Sequence, residues 1–204
     1  MDISAFAEQL ELAERTGDSL RDLTLDHETL SGFDCRNIDF ENVRFESCRF
    51  AACGFMRANF YACTFTNCDF SNISFQKSYW KQCSIHECKG DGADFSMAHF
   101  KLGEIVRSSL CYANFSEAVF EDTAIQDTRC RSASFQQVRF KKIRLMKTVL
   151  SGAEFFRTPL KGVDLSDCEI DGITVSESLA ELRGAKISVY QAAGIARLAG
   201  LKVE

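Results

Sequence analysis

Residues 56–75 read MRANF YACTF TNCDF SNISF, so each of four successive groups of five ends in phenylalanine. The spacing continues in both directions along the chain. From Phe40 to Val175, every fifth residue is Phe, Trp, Leu, Ile or Val at 26 of 28 positions, and Phe at 15; Gly90 and Cys130 are the exceptions. Chance placement of the phenylalanines would put roughly 2.5 on such a grid. The five-residue period is therefore the strongest signal in the sequence.

A second periodic series lies two residues before the first. From Ile38 to Ile173 it contains only Ala, Cys, Ser, Thr, Gly, Val and Ile. Two inward positions in every five residues fit neither the 3.6-residue period of a helix nor the two-residue period of a flat strand, so the chain must turn a corner in each repeat. Four corners close a coil of about 20 residues. The prediction is an all-β fold, a right-handed quadrilateral β-helix, with its core residues stacked in files: Phe40, Phe60, Trp80, Phe100, Phe120 and Phe140, and Phe55, Phe75, Phe95, Phe115, Phe135 and Phe155.

Charged residues support this coil length independently. Residues separated by one coil face each other across parallel strands, where opposite charges attract. Within residues 38–177, eleven pairs at this spacing have opposite signs and three have like signs. Each exposed pair contributes only ~0.2–1 kcal/mol, so the pairs favour one register more than they stabilise the fold. The predicted ladders are Glu87, Arg107, Asp127, Lys147 and Asp167; Lys101, Glu121 and Lys141; Arg49, Asp69 and Lys89; Asp122 and Lys142; and Arg144 and Asp164.

The grid also predicts what the chain lacks. No insertion interrupts it, so no loop should protrude from the rod. Gly90 leaves one core position without a side chain, for which a local kink and a small void are the alternatives; a void is favoured.

The remaining residues indicate no catalytic, metal or cofactor site. The ten cysteines form no C-x-x-C pair. Six of them are separated by multiples of five, which makes the cysteines mostly small inward fillers: Cys48, Cys53, Cys63, Cys68, Cys83 and Cys88. A thiol ladder of Cys48, Cys68 and Cys88 is the less favoured alternative. The three histidines are scattered along the sequence and are expected to face solvent: His27, His86 and His99. We therefore expect a non-enzymatic protein.

Composition limits the possible surroundings and partners. An apolar content of 46% in 204 residues suits one domain, and no apolar run is long enough to cross a membrane. The first residues also lack the basic start of a signal peptide, so the cytoplasm is the expected location. The net charge of −5 argues against direct nucleic-acid binding.

The two ends differ from the repeats. Residues 1–19 predict an amphipathic helix ending at Gly17, which plugs the first coil; a detachable acidic partner-binding helix is the alternative. Residues 20–177 form the rod, with degenerate repeats before Phe40. Residues 178–204 predict a cap whose helix begins with a Ser188–Gln191 capping box. The apolar residues expected to cover the end of the rod are Val189, Ala192, Ile195, Ala196, Leu198 and Ala199.

The repeat resembles a known family. Ala58-Asn59-Phe60 and Cys68-Asp69-Phe70 follow the A/C-D/N-F/L-x-x pattern of the pentapeptide-repeat proteins, and the match covers about 140 residues. The C-terminal ending is similar to that of the Qnr-type quinolone-resistance proteins, which protect DNA gyrase and topoisomerase IV. This resemblance implies topoisomerase protection and a homodimer joined through Ile195, Leu198, Leu201 and Val203. A general interaction scaffold with another protein partner is the alternative.

DNA mimicry is associated with that group, and the charge of the rod tests whether this chain could mimic DNA. Residues 38–177 contain 18 acids and 17 bases, which makes the rod a poor average mimic of DNA. Seven bases form a run without any acid, here called the basic collar: Arg129, Arg131, Arg139, Lys141, Lys142, Arg144 and Lys147. The collar has two interpretations. In the first, it is a docking site for DNA or for an acidic surface of a partner. In the second, its bases are neutralised by ladder acids on neighbouring coils. The second is favoured.

Overall fold

A computed structural model describes all residues from Met1 to Glu204. Helix α1 spans Ile3–Thr16, two short 3-10 helices span Ala180–Leu182 and Val189–Gln191, and helix α2 spans Ala192–Leu198. Between them lie sixteen strands: β1 Leu20–Arg21, β2 Thr24–Asp26, β3 Thr29–Ser31, β4 Asp39–Glu41, β5 Arg44–Glu46, β6 Arg49–Ala51, β7 Asn59–Tyr61, β8 Thr64–Thr66, β9 Tyr79–Lys81, β10 Ser84–His86, β11 His99–Lys101, β12 Glu104–Val106, β13 Val119–Glu121, β14 Ala124–Gln126, β15 Arg139–Lys141 and β16 Arg144–Met146.

The strands stack in parallel into the faces of a square tube. One sheet of seven strands runs from β1 to β15 and a second from β2 to β16, while β3 pairs with β6 on a third face. Single bridges such as Ser74 to Asp94 continue the other faces. The register is one coil per step, with Phe60 opposite Trp80 and Phe100 opposite Phe120. The quadrilateral β-helix is confirmed, and it begins before Phe40 because Leu20 already pairs with that residue.

The corners require an uncommon backbone conformation at every fifth residue. Asn42, Ser47 and Ala52 have φ of 52°, in the left-handed region, and the pattern continues to Arg157. A side chain makes this region unfavourable by roughly 1–2 kcal/mol. Most corner N–H groups are nevertheless bonded to the next coil, as Asn42 N–H is to Tyr61 O at 2.9 Å. Stacking of the coils thus holds the corners in place.

The predicted core is confirmed with one exception. Rings on successive coils lie nearly parallel, as Phe75 does with Phe95 at 5.0 Å and 6°. Phe140 is the exception, because it is only partly buried and its ring is tilted by 43° from that of Phe120. The strand that contains Phe140 makes no backbone hydrogen bond to residues 159–167 of the following coil.

Trp80 is the one large departure inside the phenylalanine files. Its indole N–H donates to Ser78 Oγ at 2.7 Å, and that hydroxyl donates to Phe75 O at 2.6 Å. One coil later, a Cβ on Gly103 would lie 2.6 Å from Cys83 O. The small-residue series therefore supplies Ser78 as the hydrogen-bond partner of the indole, and Gly103 as a residue without a Cβ that would collide with Cys83 O.

The expected void at Gly90 is wrong. A Cβ placed on Gly90 would meet the Phe70 ring at 2.1 Å and Leu110 at 2.8 Å, so these neighbours already fill the space. The ladder also passes from Asp69 through Lys89 to Ser109 without a break, which excludes a kink. Phe70 leans across the position that a larger residue would occupy.

Most of the cysteines occupy the inner small positions, as predicted: Cys48, Cys53, Cys63, Cys68, Cys83, Cys88 and Cys168. All ten cysteines are free and nine are buried. The thiols of these seven donate to the backbone of the preceding coil, as Cys63 Sγ does to Phe40 O and Cys83 Sγ to Phe60 O. Burial raises the pKa of the Cys168 thiol to about 11, which leaves it protonated and unreactive at neutral pH.

Helix α1 closes the N-terminal end. Asp2 caps its first turn, and Gly17 ends it with a φ of 75°. Phe6, Leu10 and Ala13 are buried, and the Phe6 ring meets Phe33 edge-on at 5.4 Å. The helix therefore covers the first coil, as the sequence predicts.

Two buried side-chain clusters hold the C-terminal cap. Glu181 is 6% exposed and accepts bonds from Arg157 N–H, Ser176 N–H and Ser176 Oγ. Gln191 accepts from Ser188 N–H in the predicted capping box and donates to Leu165 O and Cys168 O, both at 2.7 Å. These bonds satisfy carbonyls at the edge of the last coil.

No helix in this structure is both long enough and apolar enough to span a bilayer.

Candidate interaction surfaces

The charge ladders are formed in part, with five of the ten predicted pairs within ion-pair distance. Arg107 contacts Glu87 at 2.8 Å, and Glu121 contacts both Lys101 at 2.9 Å and Lys141 at 3.8 Å. The other predicted pairs within 4 Å are Lys89–Asp69 and Lys142–Asp122. Five predicted pairs are not formed at that distance: Arg49–Asp69, Arg107–Asp127, Asp127–Lys147, Arg144–Asp164 and Lys147–Asp167.

The favoured interpretation of the basic collar is wrong. Only Lys141 and Lys142 pair with acids, Glu121 and Asp122 on the preceding coil. The five remaining bases have no carboxylate within ion-pair distance: Arg129, Arg131, Arg139, Arg144 and Lys147. All seven collar side chains are exposed, so the collar presents unneutralised positive charge on a rod that is otherwise nearly neutral.

The collar adjoins a break between two coils. Both seven-stranded sheets end at β15 and β16, although the chain continues through another coil. No backbone hydrogen bond joins residues 139–147 to residues 159–167. We call this boundary the seam. It is closed at both ends, where Val138 N–H donates to Thr158 Oγ1 and Glu169 N–H donates to Thr148 O.

On their other edge, the residues beyond the seam bond to the C-terminal cap in the way that each coil bonds to the next. Leu160 N–H donates to Glu181 O, Gly162 N–H to Gly184 O and Leu165 N–H to Lys186 O, at 2.8–2.9 Å. On the other faces, the same coil remains paired with the coil before it, through the bridges Val149–Glu169 and Glu154–Thr174. The seam therefore opens on two faces only.

The sequence contains a cause for the seam. Pro159, the only proline, has no N–H to donate to Val138 O, a bond that Arg139 makes to Ala118 O one coil earlier. Ile143 and Val163 also stack branched side chains where the four preceding coils have Cys, Gly or Thr, but Leu23 and Val43 stack in the same series with Arg44 N–H still bonded to Leu23 O. The loss of the donor at Pro159 is therefore the clearer cause of the seam.

Charges at the seam remain apart as well. Asp164, predicted to face Arg144, instead accepts from Ser166 Oγ at 2.6 Å and from Ser166 N–H. These bonds hold the pKa of Asp164 below its ordinary value. Arg144 is thus left without its predicted partner.

The histidines are more enclosed than predicted. His27 is exposed beside Asp26, but His86 and His99 are only half-exposed. His86 Nε2 lies 2.9 Å from Glu104, while His99 Nε2 is buried without a hydrogen-bond partner, 3.6 Å from Glu121. Burial lowers the pKa of His99. Each histidine therefore lies beside one surface carboxylate: Asp26, Glu104 or Glu121.

Apolar side chains are exposed at the C-terminal end. Val189 and Tyr190 are 79% and 91% exposed. The expectation that the cap residues cover the end of the rod is wrong for four of them, which are all exposed: Val189, Ala192, Leu198 and Ala199. The helix begins with a 3-10 turn, which directs Val189 and Tyr190 outward. Of the residues implied in dimerisation, Leu198, Leu201 and Val203 are exposed, whereas Ile195 packs on the core of its own chain.

Two family models match the chain. One, described as a pentapeptide repeat region, matches residues 58–131. The other, described as pentapeptide repeats in eight copies, matches residues 34–72, 113–152 and 128–167. Together they extend over residues 34–167, which is most of the rod. No curated protein matches the sequence significantly.

Solved structures share the fold. Full-length QnrB1, described as a plasmid-mediated fluoroquinolone resistance protein, is 23% identical with a TM-score of 0.52, over 88% of this chain and 99% of QnrB1. A trypsin-treated variant of QnrB1 is 23% identical with a TM-score of 0.51, over 92% of this chain and 100% of the other. Likeness at this level establishes the common architecture.

Proposed function

We propose, from the premise that the chain belongs to the pentapeptide-repeat family, that it is a non-catalytic rod that binds a type II topoisomerase. Binding to DNA gyrase or topoisomerase IV would protect the enzyme from quinolone-like inhibitors in the cytoplasm. The observation that carries this proposal is the match to full-length QnrB1, which includes nearly the whole of both chains. The function rests on that likeness in architecture together with the C-terminal ending.

The collar is the contact surface that we assign to the partner. Its five unpaired bases lie on one coil of a rod with a nearly even balance of charge. Bases that are not engaged within the protein remain available for carboxylates or phosphates of a partner. Charge complementarity therefore favours an acidic region of the topoisomerase as the site of contact, and direct DNA binding is not part of the proposal.

The C-terminal end is the surface that we assign to a second copy of the chain. Leu198, Leu201 and Val203 are exposed there beside Val189 and Tyr190. Apolar side chains clustered at one end are typical of a protein-protein interface. Two rods joined end to end would cover them and would double the length available to a partner.

A supercoiling assay with purified gyrase and ciprofloxacin tests the proposal, with QnrB1 as the positive control. We expect the chain to restore supercoiling in a concentration-dependent manner. The double substitution Arg139→Glu and Arg144→Glu should weaken protection. Arg57→Glu with Lys77→Glu is the matched control, because these exposed bases lie outside the collar and lack ion pairs. Failure of the native chain to restore activity at any concentration would leave the alternative, an interaction scaffold for another protein.

A further inference from the structure

The seam leaves an unpaired strand edge near the C-terminal end of the rod. One coil earlier, Asp122 N–H donates to Lys141 O, and Asp127 N–H donates to Met146 O. The equivalent N–H groups of Lys142 and Lys147 have no backbone acceptor. The earlier coil thus defines the bonds that are missing at the seam.

The acceptors on this edge are unpaired in the same way. Thr123 O accepts from Arg144 N–H at 3.0 Å, whereas the equivalent Ile143 O receives no backbone N–H. Val138 O lacks the donor that Pro159 cannot supply. Along the chain, the free groups therefore alternate as acceptor, donor, acceptor and donor, at residues 138, 142, 143 and 147.

This alternation favours polypeptide over nucleic acid as a ligand. A second polypeptide strand presents the complementary series of N–H and C=O groups, as in β-augmentation. A phosphodiester backbone offers acceptors but no matching donors, so it would satisfy only half of the edge. The partner should therefore be an extended peptide segment.

Charge determines which peptide fits. Five bases flank the edge within nine residues that contain no acid: Arg139, Lys141, Lys142, Arg144 and Lys147. Three of them, Arg139, Arg144 and Lys147, have no ion pair, and Phe140 and Ile143 are partly exposed beside them. We infer that the seam is a docking site for an extended acidic peptide segment that adds a strand along β15 and β16.

Entry of the segment requires movement of one piece of the chain. Residues 159–167 cover the edge but are bonded to the cap at Gly184 and Lys186 and not to β15 or β16. Their displacement with the cap therefore breaks no backbone hydrogen bond to β15 or β16, but it uncovers the buried side chains of Leu160, Val163 and Leu165. The bonds at the two ends of the seam would limit how far the coils separate.

Fluorescence anisotropy with a synthetic peptide in which Glu alternates with Val or Thr tests the inference. On the full chain at low salt, we expect saturable binding and slower hydrogen exchange at Lys142 and Lys147 N–H. Arg139→Ser with Arg144→Ser should weaken binding by about tenfold, since both bases contact the acidic side chains. A peptide of equal charge with alternate amides N-methylated should bind at least about tenfold more weakly, because it cannot pair with the edge.

A seam-closing variant separates the edge from the charge. Pro159→Asn with Val163→Ala restores the missing donor and reduces the bulk, while every collar base remains. We expect this variant to lose about tenfold in affinity for the peptide. Equal binding of the N-methylated peptide, equal binding of a polythymidine oligonucleotide, or no binding of the unmodified peptide would overturn the inference. None of these readings depends on gyrase, so the topoisomerase proposal succeeds or fails separately.

Discussion

At the scale of single residues, the small inner position of each repeat controls how closely coils approach. Cys63 and Cys83 fit beneath a carbonyl of the preceding coil and donate a thiol hydrogen bond to it. Ile143 and Val163 stand in the same series but have no donor and more bulk. The phenylalanines fill the tube, whereas the cysteines among these smaller residues add hydrogen bonds between successive coils.

The Ser78 hydroxyl gives a direct test of this role. Replacing Ser78 with Ala leaves the buried Trp80 indole N–H without an acceptor, which should lower the free energy of unfolding by about 1–3 kcal/mol. Urea denaturation followed by tryptophan fluorescence would measure the loss. The expected outcome is a lower transition midpoint with an unchanged slope.

A double-mutant cycle supplies the control for Ser78. In a Trp80→Phe background the indole N–H is absent, so Ser78→Ala should be considerably less destabilising there, as followed by circular dichroism. An equal loss in both backgrounds would show that the hydroxyl acts without the indole.

The residues of the core files could be predicted from the sequence because their period repeats throughout the rod. The way in which the space at Gly90 is filled could not be predicted from the sequence, because it depends on where the Phe70 ring and Leu110 lie. The period specifies which positions point inward but not how neighbouring rings share the space. One missing side chain is therefore ambiguous until its neighbours are placed.

At the scale of elements, the seam shows the limit of a period-based prediction. Residues 159–167 keep the five-residue period, yet they bond to the cap and not to β15 and β16. Pro159 is a visible signal in the sequence, since a proline removes one ladder bond. The absence of the other bonds to β15 and β16 depends on how residues 159–167 pack, and no repeat encodes that packing.

The collar illustrates the same limit for a candidate site. Its bases are readable from the sequence, and one-coil spacing predicts acids opposite Arg144 and Lys147. Those acids, Asp164 and Asp167, lie across the seam and form no ion pair with the collar. Charge spacing predicts contacts only where the backbone ladder is intact.

The cap should depend on pH through Glu181. Although burial raises the pKa of Glu181, the hydrogen bonds from Ser176 and from Arg157 N–H outweigh it and hold the pKa below its ordinary value. The folded state therefore gains stability from the ionised carboxylate above the unfolded pKa of about 4.3, and loses it as the pH falls through the folded value. Hydrogen exchange of residues 157–191 should quicken over that acidic range.

Glu181→Gln is the matched variant for the pH experiment. It keeps the shape of the side chain but cannot ionise, so the cap should be weaker at neutral pH and its exchange should show less dependence on acidity. If hydrogen exchange of residues 157–191 depended on pH in the same way in the native chain and the variant, the role given to Glu181 would be contradicted.

At the scale of the whole molecule, charge and apolar surface are concentrated at different places along the rod. The N-terminal 37 residues contain nine acids and three bases, the collar is basic, and the C-terminal end is apolar. The fold and its family follow from a repeat that dominates the chain, whereas the partner depends on these few surface residues. Sequence alone therefore defines the architecture better than the function.

The oligomeric state tests the C-terminal assignment. We expect the native chain to elute as a dimer in size-exclusion chromatography with light scattering, because association covers Leu198 and Leu201. Leu201→Glu should shift it to a monomer, since a buried unpaired carboxylate disfavours the interface. Leu102→Glu is the matched control at an exposed leucine in the rod, where the dimer should persist. A native monomer at all concentrations would contradict the end-to-end arrangement.

The coil length can be tested by removing residues. Deletion of 101–120 takes out one full turn, keeps the later residues on their faces and replaces the like-charged contact of Lys81 and Lys101 with one of Lys81 and Glu121. Deletion of 101–118 is nearly the same size but shifts every later residue off the grid. Thermal unfolding followed by circular dichroism should show a cooperative transition for the first variant and none for the second. Equal behaviour of the two variants, whether both fold or neither does, would contradict a tube built from stacked coils of this length.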